Sequence, residues 1–256
     1  MSSPLLELRQ VARRFGALRA VDGVDLAVPA GSITGLIGPN GAGKSTTFNL
    51  VAGDLAPDAG EIRLAGARID GLSPDRIFRR GLARTFQIPR PFPSMTVLEN
   101  LMLAPVGQAG ERFWRNWIAP GAVAAEEARL RDRARGILDF TGLLAKAGDA
   151  AGELSGGQQK LLELARVLMA DPKLILLDEP AAGVNPTLLR ALVEKILALN
   201  ARGTSFLVIE HDMDLVMRLC RPVVVMAQGR VIAAGDPEMV RRDPAVLDAY
   251  LGDLAA

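Results

Sequence analysis

A glycine-rich loop that ends in a lysine and a serine constrains this chain more than any other feature. The loop fits the pattern G-x-x-x-x-G-K-[ST] at every fixed position. Its residues are Gly38, Pro39, Asn40, Gly41, Ala42, Gly43, Lys44 and Ser45. A short β-rich run, residues 32–37, precedes the loop, and a helix-like run, Lys44–Ala52, follows it. This strand–loop–helix order predicts an α/β protein whose loop amides cradle the phosphates of a nucleoside triphosphate.

The side chains of the loop have separate expected tasks. The glycines let backbone N–H groups turn inward toward phosphate oxygens. Lys44 adds a mobile positive charge at the β- and γ-phosphates, and Ser45 offers its hydroxyl to Mg²⁺. The loop therefore predicts that a triphosphate and Mg²⁺ bind together.

Three further polar residues follow two apolar runs of the α/β pattern. Asp178 and Glu179 come directly after residues 174–177, and His211, the one histidine of the chain, comes shortly after residues 205–209. Nearly continuous apolar runs suit strands buried on both faces of a parallel sheet, and ligands bind at the carboxyl ends of such strands. We expect Asp178 to hold Mg²⁺, Glu179 to act as general base on the attacking water, and His211 to contact the γ-phosphate.

A second segment that could bind an anion lies more than a hundred residues after the loop. Its residues are Leu154, Ser155, Gly156, Gly157 and Gln158. A helical apolar pattern begins at once after it, which places unpaired N–H groups and the positive end of a helix dipole there. Because the chain already has one phosphate cradle, a second is best explained if it closes on the nucleotide of another subunit.

Composition limits the alternatives. With 30 Lys and Arg against 29 Asp and Glu, the net charge is +1, which is not the charge pattern of a nucleic-acid-binding protein. No apolar run approaches the roughly 20 residues of a membrane-spanning helix, and the N-terminus lacks the pattern of a signal peptide. We therefore expect a chain that stays in the cytosol, and if it works at a membrane, another chain must supply the membrane part.

The pattern along the chain predicts an interrupted α/β core. Strand-like and helix-like runs alternate over residues 1–88 and 155–256, with predicted strands at residues 5–11 and 21–28, a predicted helix at residues 186–201 and a helical tail from about residue 236. Residues 89–154 show little β-patterning, and residues 122–140 read as a long helix. We interpret residues 89–154 as a helical subdomain inserted into the core.

Taken together, these motifs resemble the ATP-binding subunits of ABC transporters, over essentially the whole chain. The resemblance implies an ABC ATPase fold, with an antiparallel β subdomain beside the P-loop core and an inserted helical subdomain. It implies that residues 38–45 are the Walker A loop with Thr46 adjoining it, that Asp178 ends Walker B, and that residues 154–158 are the signature contacting ATP in trans. It also makes Gln87 the Q-loop residue that touches Mg²⁺ and the water, and Phe15 the residue that stacks on adenine.

The resemblance also implies a machine of several chains. Two ATPase subunits, identical or paralogous, would dimerise head to tail around two ATP molecules and drive separate membrane permease subunits. Residues 179–186, 209–213 and 245–252 are similar to ATPases of branched-chain amino acid uptake systems, which work with a solute-binding protein outside the membrane. Some relatives in that group import urea or other amides.

Other interpretations share most of these residues. An export or lipid-extracting ABC ATPase would carry the same catalytic groups, and a soluble ABC ATPase of repair or translation would usually add a second cassette or a coiled coil. A module that binds without hydrolysing would be expected to lack Glu179 or His211. Two segments could contact membrane subunits, namely residues 88–98 and the aromatic residues 113–117. The alternatives are an ordinary ordered loop for the first segment and a small satellite core for the second.

Overall fold

The computed structural model describes residues 4–85, 91–105 and 120–253, the last with backbone only at residues 120 and 251–253. The chain divides into two compact units. The first comprises Met1–Gln87, Pro172–Ala182 and Ile196–Ala256, and the second comprises Ile88–Asp171 and Gly183–Lys195.

The first unit contains two sheets. One is antiparallel, in the order β2-β1-β4-β5, and the other has six strands in the order β10-β9-β3-β8-β7-β6. The strands are β1 (Leu6–Phe15), β2 (Leu18–Val28), β3 (Ile33–Ile37), β4 (Ala59–Leu64), β5 (Ala67–Arg68), β6 (Leu82–Arg84), β7 (Leu174–Asp178), β8 (Ser205–Ile209), β9 (Val223–Ala227) and β10 (Arg230–Gly235).

The larger sheet is parallel except at one edge. Strand β3 pairs in parallel with both β8 and β9, β8 pairs with β7 and β7 with β6, and only β10 runs antiparallel. The central strands β3 and β8 are buried along their whole length, as continuous apolar strands of a covered parallel sheet should be. The carboxyl ends of β3, β7 and β8 therefore lie at the same edge, where the candidate site is built.

Helices follow or connect these strands. In the first unit they are α1 (Lys44–Ala52), α2 (Pro74–Arg79), α7 (Met213–Leu219), α8 (Pro237–Val240) and α9 (Pro244–Asp253). In the second unit they are α3 (Val97–Met102), α4 (Pro120–Thr141) and α5 (Gly156–Leu168). Helix α6 (Pro186–Ala201) begins in the second unit and ends in the first.

Strands β1 and β2 form a longer hairpin than the sequence predicts. Their apolar cores, residues 5–11 and 21–28, were expected, but β1 continues to Phe15 and β2 begins at Leu18. The added residues include the exposed Arg14 and Arg19, which pair across the end of the hairpin. A charged, solvent-facing strand end has no apolar alternation, so the pattern could not indicate it.

The second unit, which we call the helical unit, extends further than the predicted helical subdomain, residues 89–154. It continues to Asp171 and takes in Gly183–Lys195, so the signature and helix α5 lie within it. The reason is packing, because α5 buries Leu162 and Ala165 and contacts both α3 and α4. A boundary at residue 154 would assign α5 to the core and separate it from α3 and α4, the helices against which it packs.

The chain's one cysteine is part of the core. Cys220 is buried at the end of α7, and a Cβ placed on Gly35 of β3 would come within 3.0 Å of the Cys220 Cβ. Burial raises the pKa of the Cys220 thiol to about 12, so the side chain stays neutral and packs as a small apolar group.

Candidate nucleotide-binding and hydrolysis site

The glycine-rich loop joins β3 to α1 and folds around its own lysine. The buried Lys44 Nζ donates to the carbonyl oxygens of Gly38 at 2.7 Å and Pro39 at 2.8 Å. Gly43 has φ of 99°, and a Cβ there would lie 2.3 Å from the Ala20 carbonyl oxygen. The loop therefore has its curved shape because glycine alone permits this conformation and this close approach to β2.

The loop opens into a cleft of about 550 Å³ in the first unit. Many of the residues predicted to bind ATP line it, together with two of the three polar residues expected at the neighbouring strand ends. They are Phe15, Asn40, Gly41, Ala42, Gly43, Lys44, Ser45, Thr46, Glu179 and His211. Asp178 is not part of the lining. Gly38 and Pro39 lie at the start of the same loop, where their carbonyl groups hold Lys44.

Four of the residues that line the cleft were not predicted from the sequence. They are Leu18, Arg19, Ala20 and Gln228. Gln228 lies in the β9–β10 turn, which reaches the loop because the Gly229 N–H donates to the Ala42 carbonyl oxygen at 3.0 Å. No short motif marks these positions, and the fold alone brings them to the cleft.

Phe15 stands at the mouth of the cleft, at the end of β1. It is 45% exposed, and the Arg13 guanidinium lies 5.2 Å from the centre of its ring. An exposed aromatic ring backed by a cation is suited to stacking on a base. Stacking uses only the face of the ring, so a phenylalanine is sufficient at this position.

Glu179 and His211 meet at the carboxyl ends of β7 and β8. The His211 Nε2 lies 3.0 Å from the Glu179 Oε1. Glu179 has φ of 47°, a left-handed conformation that costs a non-glycine residue about 1–2 kcal/mol. Strain of this kind at a polar residue lining a cleft is typical of a functional site.

Asp178 lies one residue earlier and has a different partner. Its Oδ2 accepts from Arg84 Nη2 at 3.0 Å, and the other guanidinium nitrogen of Arg84 donates to Asn49 at 2.6 Å and to Asp54 at 2.9 Å. Arg84 thereby joins the ends of β6, β7 and α1. Sequence reasoning did not single out Arg84, because its role depends on strands that are adjacent only in the folded sheet.

The oxygen donors at the carboxyl ends of these strands suit Mg²⁺ better than a metal ion that takes all of its ligands from protein. Within residues 4–85, 91–105 and 120–253, no group of three or more His, Cys, Asp or Glu could hold a metal ion. Mg²⁺ commonly takes one or two protein oxygens and completes its shell with water and phosphate oxygens. The Ser45 hydroxyl and the Asp178 carboxylate fit that limited protein contribution.

The signature segment is locally ordered within the helical unit. Ser155 is the N-cap of α5: its Oγ accepts from the Gln158 N–H, and the Gln158 side chain accepts from the Ser155 N–H at 3.0 Å. Leu154 is buried, whereas Ser155 and Gly156 are exposed. A Cβ on Gly157 would lie 2.2 Å from the Leu188 side chain, so this glycine permits close packing on α6.

The C-terminal helix also reaches the loop. Burial raises the pKa of the Tyr250 phenol on α9, and a hydrogen bond from the Gly38 backbone acts in the opposite direction. The Tyr250 side chain therefore lies near the first glycine of the phosphate cradle.

Three predicted elements lie outside the described residues. They are Gln87, the aromatic residues 113–117, and residues 88–90 of the segment following Gln87. Their assigned roles remain predictions.

Comparison with known proteins identifies the family. A family model described as ABC transporter matches residues 21–182, more than half of the chain. The chain belongs to the ABC transporter ATP-binding family. A second model, described as branched-chain amino acid ATP-binding cassette transporter, matches residues 230–256. As an ABC ATP-binding protein the chain binds nucleotide and hydrolyses ATP, which confirms the predicted family and enzyme class.

The relatives match this chain over nearly its whole length and over nearly the whole of their own. An Archaeoglobus fulgidus protein named probable branched-chain amino acid transport ATP-binding protein LivG is 43% identical, covering 97% of this chain and 95% of the relative. The high-affinity branched-chain amino acid transport ATP-binding protein BraF of Pseudomonas aeruginosa is 42% identical over 99% of this chain and 100% of its own. Escherichia coli LivG, named in the same words, is 41% identical over 99% of this chain and 100% of its own.

Solved ABC cassettes have the same fold. A nucleotide-free ATP-binding cassette from an ABC transporter gives a TM-score of 0.83 at 37% identity, covering 96% of this chain and 98% of the other. An ATP-binding cassette of an ABC transporter in its ADP conformation gives the same score and identity over 98% and 100%. The predicted ABC ATPase fold is confirmed. In the part of the chain that the structure describes, no helix is long and apolar enough to cross a membrane.

Proposed function

We propose that this chain is the ATP-hydrolysing subunit of an importer for branched-chain amino acids or related small amino acids and amides. The placement of Glu179 beside His211, 3.0 Å apart on the cleft of the glycine-rich loop, carries the hydrolytic part of the proposal. The names of the full-length relatives and the match over residues 230–256 support the transported substrate class.

In this proposal each side chain acts on a stated atom. The loop amides and Lys44 hold the β- and γ-phosphates, and Phe15 stacks on adenine. Glu179 accepts a proton from the water that attacks the γ-phosphorus, while ADP leaves with the electrons of the broken P–O bond. His211 holds the Glu179 carboxylate and contacts the γ-phosphate, and Gln87 is assigned to the same water.

Mg²⁺ is the proposed metal ion of the reaction, and it neutralises charge on the phosphates when bound. Ser45 and Asp178 would hold it, together with Gln87. Arg84 keeps the Asp178 carboxylate at the end of β7 through the 3.0 Å ion pair, so this ligand is already oriented.

The signature segment is proposed to act on the ATP of a second subunit. The Ser155 hydroxyl accepts a hydrogen bond from the Gln158 N–H, and in that role its own proton remains to donate to a phosphate oxygen. The start of α5 adds the positive end of a helix dipole. Leu154, Gly156, Gly157 and Gln158 complete this contact with the partner's nucleotide.

Partners follow from the same proposal. The second subunit is another copy or a paralogous ABC ATPase, and the pair works on membrane permease subunits that receive solute from a binding protein on the other side. The chain then lies peripherally at the cytoplasmic face of the membrane. Nucleic acid is not a proposed partner, because the net charge is +1.

The Glu179→Gln variant tests the hydrolytic proposal. Removing the general base should lower ATP turnover by at least 100-fold, while ATP binding is kept and ATP-dependent dimers accumulate. Turnover is measured by phosphate release, and dimerisation by light scattering after gel filtration. Glu238→Gln, at an exposed glutamate on α8, is the matched control and should keep wild-type turnover. Wild-type turnover in Glu179→Gln would remove Glu179 from the role of base.

The substrate class needs a separate test with the co-encoded membrane subunits. In proteoliposomes holding the complete complex and its binding protein, leucine, isoleucine or valine uptake should depend on ATP and stimulate hydrolysis. ATPase activity that no membrane subunit changes would favour a soluble ABC ATPase instead. Stimulation by a lipid or an exported compound, without uptake of these amino acids, would favour another transport system.

A further inference from the structure

Glu210 is a buried carboxylate between the two strand ends that carry Glu179 and His211. It follows β8 directly and is 4% exposed. Backbone N–H groups donate to both of its oxygens: Ala181 to Oε1 at 2.7 Å, and His211 to Oε2 at 3.0 Å. A third donor, the Asp212 N–H, lies 3.4 Å from Oε2.

These donors come from two different loops. Ala181 lies two residues after Glu179 in the loop that follows β7, whereas His211 and Asp212 belong to the loop that follows β8. The Glu210 carboxylate therefore joins the loop that carries the proposed base, Glu179, to the loop that carries His211. The 3.0 Å contact between Glu179 and His211 spans the same two loops.

The backbone near Glu179 needs such a restraint. Glu179 has φ of 47°, and a residue keeps this conformation only where its surroundings fix it. The Glu179 N–H donates to the Ile209 carbonyl oxygen at 3.0 Å, and the bond from Ala181 to Glu210 fixes the chain two residues later. The left-handed residue is thus held on both sides by the end of β8.

We propose that Glu210 is a positioning residue for ATP hydrolysis, which holds Glu179 and His211 in their working geometry without touching substrate. This inference rests on the proposed roles of Glu179 and His211. Its basis is that a carboxylate offers acceptors only, and all the groups around it that bond to it are donors.

Glutamine at position 210 has nearly the same shape but cannot make these bonds. Its NH₂ group would face either the Ala181 N–H or the N–H groups of His211 and Asp212. Whichever way the amide turns, a donor meets a donor and at least one of these N–H groups loses its acceptor. The two loops should then separate or shift while the glycine-rich loop, which Glu210 does not contact in these bonds, keeps its shape.

The test compares Glu210→Gln with Asp70→Asn. Asp70 is also a poorly exposed carboxylate in the first unit, and it accepts from the Ile62 N–H at 3.1 Å, away from the cleft lining. We expect Glu210→Gln to lower kcat by tenfold or more with the KM for ATP within about twofold of wild type. Asp70→Asn should lose thermal stability and keep kcat.

A combined variant separates positioning from general weakening. In a background that carries both Glu179→Gln and His211→Ala, adding Glu210→Gln should change the residual kcat by less than twofold, because neither group that Glu210 positions is still present. A full tenfold further loss in that background, or parallel changes in KM and thermal stability with no separate fall in kcat, would overturn the proposal.

Glu210→Asp covers the case in which Glu210→Gln does not fold. Aspartate keeps both acceptor oxygens near His211 and Asp212 but is one methylene too short for the 2.7 Å bond to Ala181. We expect a lower kcat at unchanged KM, and wild-type kcat in Glu210→Asp would overturn the proposal. If instead Glu179→Gln hydrolyses ATP normally, the proposed base is refuted, a result distinct from any Glu210 outcome.

Discussion

At Gly43 a single hydrogen atom in place of a side chain decides whether the phosphate cradle can exist. Its φ of 99° is unfavourable for any other residue, and a Cβ would press on the Ala20 carbonyl oxygen at 2.3 Å. The obstructing atom belongs to the backbone of β2 and cannot rotate away. The requirement for glycine is therefore steric as well as conformational.

The Gly43→Ala variant should show the unfavourable backbone conformation and the steric clash together. We expect it to lose at least about 2 kcal/mol in the free energy of unfolding and to lose the stabilisation that ATP gives the wild type. Gly31→Ala is the matched control, since Gly31 has φ of 72° and an added Cβ would meet no atom of the described residues within 4 Å. It should cost only about 1–2 kcal/mol and keep ATP binding. Equal losses in the two variants, measured by urea unfolding, would contradict the steric argument.

At the scale of elements, the N-terminus of α5 combines a structural and a proposed catalytic task in Ser155. The same capping box occurs at α3, where Thr96 accepts from the Glu99 N–H at 3.1 Å and the Glu99 side chain accepts from Thr96 N–H at 2.8 Å. Both caps belong to the helical unit. The chain thus provides an internal reference for what a cap alone contributes.

Ser155→Ala and Thr96→Ala should therefore be similar in stability and different in activity. Each loses a side-chain cap, which costs about 1 kcal/mol in the free energy of unfolding. Only Ser155→Ala should also weaken ATP-dependent dimerisation and lower kcat. Chemical denaturation and phosphate release on the two purified variants check this, and equal activities would leave Ser155 as a cap alone.

The elements that sequence predicted well are those with local signals. Helix α1 follows the glycine-rich loop, and α6 begins at Pro186 and is followed by Gly203, so their bounds could be read directly. Strands β5 and β6 have only two and three residues, and β4 buries only Ile62 and Leu64, so these strands were not singled out from the sequence.

The candidate site divides in the same way. The loop, Glu179 and His211 were found because each stands in or beside a motif of adjacent residues. Gln228 and Arg84 were missed because they reach the site through sheet order and side-chain direction. The three N–H groups that donate to Glu210 come from two loops, so this arrangement too can be identified only in the folded structure.

At the scale of the whole molecule, the trans arrangement can be tested by mixing two defective chains. Lys44→Ala removes the phosphate-binding charge, and Gly156→Asp adds a negative charge at the signature. A Cβ added at Gly156 would meet no atom of the described residues within 4 Å, and an acid at a helix N-terminus is favourable, so this variant should fold. Each variant alone should be inactive.

In a mixed dimer, one ATP site receives both defects and the other receives none. An equal mixture should therefore recover roughly a quarter of wild-type activity if dimers form at random with twofold symmetry. Phosphate release from the mixture, compared with each variant alone, gives the answer. A mixture as inactive as its components would contradict composite sites between two copies of this chain.

The strand order has a consequence for how the chain is made. All strands of the antiparallel sheet come from the first 68 residues, so this sheet can pair while translation is still under way. Strand β3 leads into the glycine-rich loop, yet its neighbours β8 and β9 begin only at Ser205 and Val223. The nascent chain thus carries its phosphate-binding sequence for most of its synthesis as an unpaired strand, and gains a nucleotide pocket only near the end.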